Sequence, residues 1–325
     1  MRKIAILTSG GDAPGMNSAL CSIIRNAKSH NLEVFVVLEG YKGLVDNNIV
    51  SADTLKLNEL SHQGGTAIYS ARYPEFKELS VRKIAVKNLK DKDIDALIVI
   101  GGDGSYMGAQ LLHELGVHTI GLPGTIDNDI ASSDFTIGYD TALNTIVEAI
   151  DKIRDTANSH KGIMIVEVMG NECGDLALYS GLATGAEIIA TSDYVIPMEQ
   201  IANDAIELTK QEGRRSIIVL VSEKRYDLKS LEKMIQEKTG WTTRSNSLAH
   251  TQRGGRPTAQ ERILSSLMGI KAVDYLLEGK SGLAIGIVKN DIVGVPILEA
   301  LSMKNPSKLK AREKVIKFNK LNKML

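Results

Sequence analysis

The stretch Pro123-Gly124-Thr125-Ile126-Asp127-Asn128-Asp129-Ile130 sets two carboxylates around an asparagine directly after Pro-Gly-Thr. Pro, Gly, Asn and Asp all favour turns, and Asx side chains bond their own backbone, so a plain loop satisfies this pattern. A paired-carboxylate site satisfies it too. A third acid, Asp103, sits among glycines in "GGDGSYMG" (101–108), where a carboxylate can reach a phosphate-bound Mg²⁺ directly or through water. The stretches holding Asp103 and Asp127 each follow a short apolar run, "DALIVI" and "VHTIG", so both acids are expected to leave strand ends on the same side of a sheet. Phosphoryl transfer asks for that combination: a metal-holding carboxylate, backbone donors on the phosphates, and a second carboxylate that accepts the nucleophile's proton.

The backbone donors have candidates. "KIAILTS" and "IDALIVI" both run into Gly-Gly-Asp, at Gly10-Gly11-Asp12 and Gly101-Gly102-Asp103, and each is followed by a helical pattern. A glycine turn feeding a helix N-terminus offers unhindered N–H groups to phosphate. Neither turn carries the Gly-Lys-Ser/Thr of a P-loop or a full Gly-x-Gly-x-x-Gly fingerprint. Taken singly, each fits a tight strand-to-helix connection equally well; the pair suggests a polyphosphate ligand. A further cluster, Arg244, His250, Arg253, Arg256 and Arg262, surrounds a Gly-Gly turn and fits either a sugar-phosphate anion or a solvated basic loop. The remaining histidines, His30, His62, His113, His118 and His160, have no comparable company.

The elements that must position these residues are short β-branched runs, "KIAILT", "EVFVVL", "DALIVI", "IMIVEV", "SIIVLV" and "GLAIGIV", alternating with amphipathic stretches. That alternation predicts an α/β protein with largely parallel sheet. In "TALNTIVEAIDKIRDTA", Leu143, Ile146, Val147, Ile150 and Ile153 fall on one stripe, which predicts a helix. In the basic tail, Val315, Phe318, Leu321, Met324 and Leu325 are spaced to pack one helical face, a better account than a nucleic-acid or membrane arm. The chain of 325 residues is 43% hydrophobic, and its 39 Lys and Arg balance 39 Asp and Glu. No overall field draws it to nucleic acid or an anionic membrane, and small molecules are the expected partners. Cys21 and Cys173 form no metal or disulfide pattern, and the N-terminal apolar run is too short for a signal or a span, so a cytoplasmic location is expected.

"LTSGGDAPGMN" (7–17), "GGDGSYMGA" (101–109), "GLPGTIDNDI" (121–130), "VEVMG" (166–170) and "AHTQRGG" (249–255) together resemble, in order and spacing, the bacterial ATP-dependent 6-phosphofructokinases. The resemblance implies ATP-driven phosphorylation of fructose 6-phosphate at its 1-hydroxyl, the committed step of glycolysis, in an allosteric homotetramer with sugar sites shared between subunits. It implies two doubly wound three-layer domains: 1–138 plus 252–303 for ATP, and 139–251 plus 304–325 for the sugar phosphate. By position, Gly11, Tyr41, Arg72, Tyr73, Gly102, Asp103, Gly104 and Ser105 would bind ATP, with Asp103 serving Mg²⁺. Asp127 would be the base, Thr125 would contact the transferring phosphoryl group, and Asp129 would support the metal shell or Asp127. Ile126, Met169, Gly170, Asn171 and Glu223 would meet the sugar, and Arg244, His250 and Arg253 its phosphate or the transition-state charge. Glycine at 104 and 124, where pyrophosphate-using relatives carry aspartate and lysine, implies ATP as donor.

Two departures stand out. Gly162 and Asn171 occupy positions where the family has arginines, with Lys161 and Arg256 nearby in sequence as substitutes. The effector positions are mixed: Arg25, Arg154, Gly185, Glu187 and Arg214 fit an anion and metal site, whereas Cys21, Thr54 and Glu212 replace basic residues. These departures leave one alternative, a nucleotide-binding paralogue with weak or no kinase activity that acts as a regulatory or assembly partner.

Overall fold

The computed structural model describes residues 1–304 and 310–324. The chain divides into two compact units. The first comprises Met1–Ile126, Ile130–Thr141 and Arg253–Lys304; the second comprises Asp127–Asp129, Ala142–Gln252 and the described residues of 305–325.

The first unit is built on β1 (Lys3–Thr8), β2 (Glu33–Val37), β3 (Ile49–Ser51), β4 (Ala96–Gly101), β5 (His118–Thr125), β6 (Ile137–Gly138), β11 (Leu283–Val288) and β12 (Asp291–Pro296). The strand order is β12-β11-β5-β4-β1-β2-β3, with β6 paired to the end of β5. The interior strands are parallel, and the two edges, β3 and β12, run antiparallel to their neighbours. Alternate residues sort to the two faces. Ala5, Leu7, Leu97 and Val99 join one core cluster with Leu44, Leu89, Tyr106 and Leu112. Ile4, Ile6, Ile98 and Ile100 are equally buried and point the other way, where helices Met16–Ser29 and Ala259–Leu277 pack against each other and the sheet. Burial on both faces explains why these strands read as unbroken apolar runs.

The second unit carries β7 (Gly162–Val168), β8 (Ile188–Ala190), β9 (Ser216–Ser222) and β10 (Thr242–Ser247) in the order β10-β7-β9-β8, all parallel. The predicted helix appears as Tyr139–His160. The C-terminal helix, Ala311–Asn322, departs from the expected face. Its buried positions are Ala311, Val315, Asn319 and Asn322; Phe318 is only partly buried, Leu321 and Met324 are exposed, and Leu325 lies outside the described residues. The reason is polar. Asn319 accepts from Ile189 N at 2.7 Å and donates to Ile189 O at 3.0 Å, completing the outer ladder of edge strand β8. Asn322 donates to Gly181 O and Ala186 O. Backbone groups of an edge strand need partners, and here side-chain amides provide them.

Candidate active site

In the first unit, three adjacent strands end at one edge of the sheet: β1 runs into Ser9-Gly10-Gly11-Asp12, β4 into Gly102-Asp103, and β5 ends at Thr125. The chain leaves β1 toward β2 on one side, while β4 lies on the other, so the two glycine turns flank the point where strand order reverses. That is where ligands settle in doubly wound sheets. The turns approach closely: Ser9 N donates to Ile100 O at 2.9 Å, and a Cβ on Gly101 would stand 2.4 Å from Ser9 O and from Ser105 Oγ. Gly102 caps helix Asp103–His113, whose first turn holds Asp103, Gly104 and Ser105. A Cβ on Gly102 or Gly104 would meet no atom within 4 Å, so the glycines there serve no internal packing and leave space for a ligand.

Arg253 joins this edge. A Cβ on Gly11 would stand 2.0 Å from an Nη of Arg253, whose guanidinium also lies 3.9 Å from the Asp12 carboxylate. Its Nε is buried with no hydrogen-bond partner. A guanidinium laid over a glycine turn is suited to a phosphate approaching that turn. Tyr41 lies deeper than expected of a ligand contact: it is 5% exposed, stacks on Phe76, and donates from its hydroxyl to Ser105 O at 2.6 Å. Its place is beneath the turn, which it props. Arg72 is exposed and Tyr73 half-buried, in a segment tied to the end of β1 by Thr8 Oγ1 donating to Tyr69 O and Ser70 Oγ donating to Gly10 O.

Thr125 is held through its backbone. Its carbonyl accepts from Thr136 Oγ1 at 2.7 Å, and β6 pairs Ile137 with Gly124 and Gly138 with Thr125. Behind β6 stands Glu261, fully buried, accepting from Gly138 N at 2.8 Å and from Thr141 N and Oγ1 at 3.2 Å each. Burial pushes this carboxyl up to about 7 against the pull of those donors, and the Asp140 charge adds to the rise. Sequence reasoning missed Glu261. Its only signal is Thr258-x-x-Glu261, the spacing of a capping box, and Thr258 does cap the helix at Glu261 N.

The second unit places Asp127, Asn128 and Asp129 just after Thr125 and Ile126. Asn128 has φ 54° and donates to Asp175 Oδ2 at 3.0 Å, so the asparagine between the two acids supplies a left-handed turn that an Asn tolerates and pins it to a buried carboxylate. The turn and the paired acids are one feature. At the carboxyl ends of β7 and β9, Met169 N donates to Oε1 of buried Gln252 at 3.0 Å, and Asn171 N donates to Glu223 Oε1 at 3.1 Å. The chain is left-handed at Gly170 (φ 139°) and Asn171 (φ 52°). A Cβ on Gly170 would strike Cys173 O at 2.4 Å. Arg244 stands exposed on edge strand β10, bonded to Thr243 O, and His250 is exposed in the short helix Ala249–Arg253. Gly162 is buried at the start of β7, and the Lys161 ammonium lies 4.9 Å from the Trp241 ring centre.

Of the effector positions, four assemble within the second unit. Glu187, 4% exposed, accepts from Arg154 at 3.0 Å, Arg214 at 2.9 Å and Ile218 N at 2.8 Å, while Arg154 also donates to Thr184 O and Gly185 O. Arg25 is exposed on helix Met16–Ser29 of the first unit. Both cysteines are buried; burial pushes the Cys21 thiol up to about 11 and raises Cys173 further, which removes both as nucleophiles. No group of three or more His, Cys, Asp or Glu among the described residues could hold a metal ion, and no described helix is long and apolar enough to cross a membrane.

A parallel sheet whose switch point carries two glycine turns, a carboxylate and a guanidinium defines a protein that handles phosphate groups. More narrowly, the family described as Phosphofructokinase matches residues 3–276, and the chain belongs to that family. It is 56% identical over 99% of both chains to the ATP-dependent 6-phosphofructokinase of Mycoplasma mobile, and 51% identical, again over 99% of both, to that of Mycoplasmopsis pulmonis. Its fold matches the solved phosphofructokinase of Saccharomyces cerevisiae with a TM-score of 0.86 at 33% identity, covering 99% of this chain and 48% of the yeast one. The chain thus spans about half the length of that relative.

Proposed function

We propose that the chain transfers the γ-phosphoryl group of ATP to the 1-hydroxyl of fructose 6-phosphate, giving fructose 1,6-bisphosphate and ADP. The observation that carries this reading is the convergence of Gly11, Asp103 and Thr125 on adjacent strand ends, with the Arg253 guanidinium over the first glycine turn. The turns and the first helical turn at Gly102–Ser105 cradle the phosphates; Arg72 and Tyr73 border the nucleotide, and Tyr41 holds the turn from below. Asp127 takes the proton of the 1-hydroxyl as its oxygen bonds to the γ-phosphorus and the bond to the bridging β,γ-oxygen breaks, with the electrons leaving on ADP. Thr125 steadies the moving phosphoryl group, and Asp129 supports Asp127.

Mg²⁺ fits as a companion of the nucleotide: Asp103 is an exposed hard-oxygen donor at a phosphate-binding turn, suited to a metal that keeps phosphate and water ligands. Such an ion neutralises charge that builds on the phosphate oxygens. Met169, Gly170, Asn171 and Glu223 hold the sugar, while Arg244 and His250 serve its phosphate. The exposed stripe Ile263, Leu267, Ile270 and Leu277 on helix Ala259–Leu277 suits contact with a second copy of the chain and supports an assembly of identical subunits. The cytoplasm is the compartment where these substrates occur. Neither the relatives nor the geometry favours the weakly active paralogue. A coupled assay with ATP, Mg²⁺ and fructose 6-phosphate tests the proposal: turnover is expected, and its absence in folded protein would overturn it.

A further inference from the structure

Beyond the carboxyl ends of the paired strands β7 and β9, two short loops of the second unit run side by side. Glu223 N donates to Val168 O at 2.8 Å, extending the ladder by one residue, and three cross-loop contacts follow. Asn171 N meets Glu223 Oε1, Lys224 Nζ lies 3.4 Å from Asn171 Oδ1, and Arg225 pairs with Glu172. Lys224 has φ 63°, a left-handed conformation that a lysine rarely adopts, directly across from the left-handed Gly170 and Asn171. Strain of this kind persists only where the surroundings enforce it, and it collects at binding sites.

The strained backbone brings an ammonium to the sugar-side loop without satisfying it there. The bond to Asn171 is long, Glu223 Oε1 is 3.9 Å away, and the side chain remains 64% exposed. An ammonium has three donors, and an exposed pair of this kind contributes little to folding. A cation so held, beside Asn171 and Glu223, has an anionic ligand as its natural third partner.

We propose that Lys224 is a substrate-binding residue that donates to the phosphate of the phosphorylated sugar. This inference rests on the sugar-side reading of the Met169–Asn171 and Glu223 loops given above. A donor to the non-reacting phosphate stabilises ground and transition states alike, so its loss acts on KM rather than kcat.

The test uses the full chain with Lys224→Met and Lys224→Arg. Steady-state kinetics should show the KM for fructose 6-phosphate raised about ten- to hundredfold in Lys224→Met, with kcat and the KM for ATP within about twofold of wild type. Lys224→Arg should restore most of the sugar affinity, which a loop held together merely by the aliphatic stem would not require. Calorimetric titration with fructose 6-phosphate alone should show the same loss of affinity without any turnover. An unchanged sugar KM and affinity in folded Lys224→Met, or an arginine variant as impaired as the methionine one, would overturn the assignment. A wild-type chain that binds fructose 6-phosphate but does not phosphorylate it would instead sink the proposed reaction and leave the titration to decide Lys224.

Discussion

Replacing Glu261 by glutamine should change how the stability of the chain responds to pH more than it changes the fold. The buried carboxyl accepts from Gly138 N and from Thr141 N and Oγ1, and an amide oxygen can accept the same bonds. Desolvation raises the carboxyl from an ordinary 4.5 to about 7. Between those values the folded chain keeps a proton that the unfolded chain has released. The stabilisation from this proton is therefore fully present below about pH 4.5 and is lost as pH rises through about 7. At about 1.36 kcal/mol per pH unit, the contribution across that window is about 3 kcal/mol. Glutamine mimics the protonated form and does not titrate. Denaturant unfolding of both proteins at equal concentration from pH 5 to pH 8 should show Glu261→Gln gaining on wild type by roughly 2 to 3 kcal/mol as pH rises. Parallel profiles would mean that Glu261 is ionised throughout, and that its three donors outweigh burial.

Asp127→Asn keeps the shape of the side chain but cannot take a proton, so kcat should fall by about two to four orders of magnitude with ATP binding nearly intact; near-normal turnover would remove Asp127 as the base. Gly104→Asp should leave thermal unfolding unchanged, because the added Cβ meets no atom within 4 Å. The same change should cut kcat/KM for ATP through repulsion of the phosphates, and an unaffected ATP response would show that the open space at 104 is not the nucleotide's. Asn319→Ala leaves Ile189 N and O without their side-chain partners, and should cost about 1 to 3 kcal/mol in chemical denaturation; a neutral effect would show that water reaches that edge.

Strands buried on both faces were legible because nothing polar interrupts them: "KIAILT" and "SIIVLV" became β1 and β9 with few changes of boundary. Strand β10, "TTRSNS", was not, since an edge strand with mostly exposed residues carries no apolar signal. Strands β3 and β8 are only three residues long, too short for periodicity to register. The candidate chemistry of Asp103 and Asp127 followed from type and spacing, whereas the partners that fix it did not. Gln252 holds Met169 and Asp175 holds Asn128 across 83 and 47 residues of chain, separations that no local pattern encodes. For Tyr41 the resemblance implies a nucleotide contact, while its packing role, a hydroxyl bonded to Ser105 O beneath the turn, is visible only in the structure. In the last helix, hydrophobic spacing favoured Leu321 and Met324, but two asparagines decided the buried face because they satisfy backbone groups that leucine cannot.

The pairing of β11 with β5 fixes when the sheet edge that carries the two glycine turns can become complete. Residues 283 and 284 pair with Ile120 and Gly121, and helix Ala259–Leu277 covers helix Met16–Ser29. While the chain is being synthesised, everything needed to align β1, β4 and β5 emerges early, yet β5 stays an open edge and the face over Ile4 and Ile98 stays bare until residues beyond 253 have left the ribosome. The intervening segment, 142–252, belongs to the other unit, whose own edge strand β8 waits for Asn319. Neither unit can finish before β11 and Asn319 have been made, so a chain interrupted before them exposes parallel edges of the kind that aggregate.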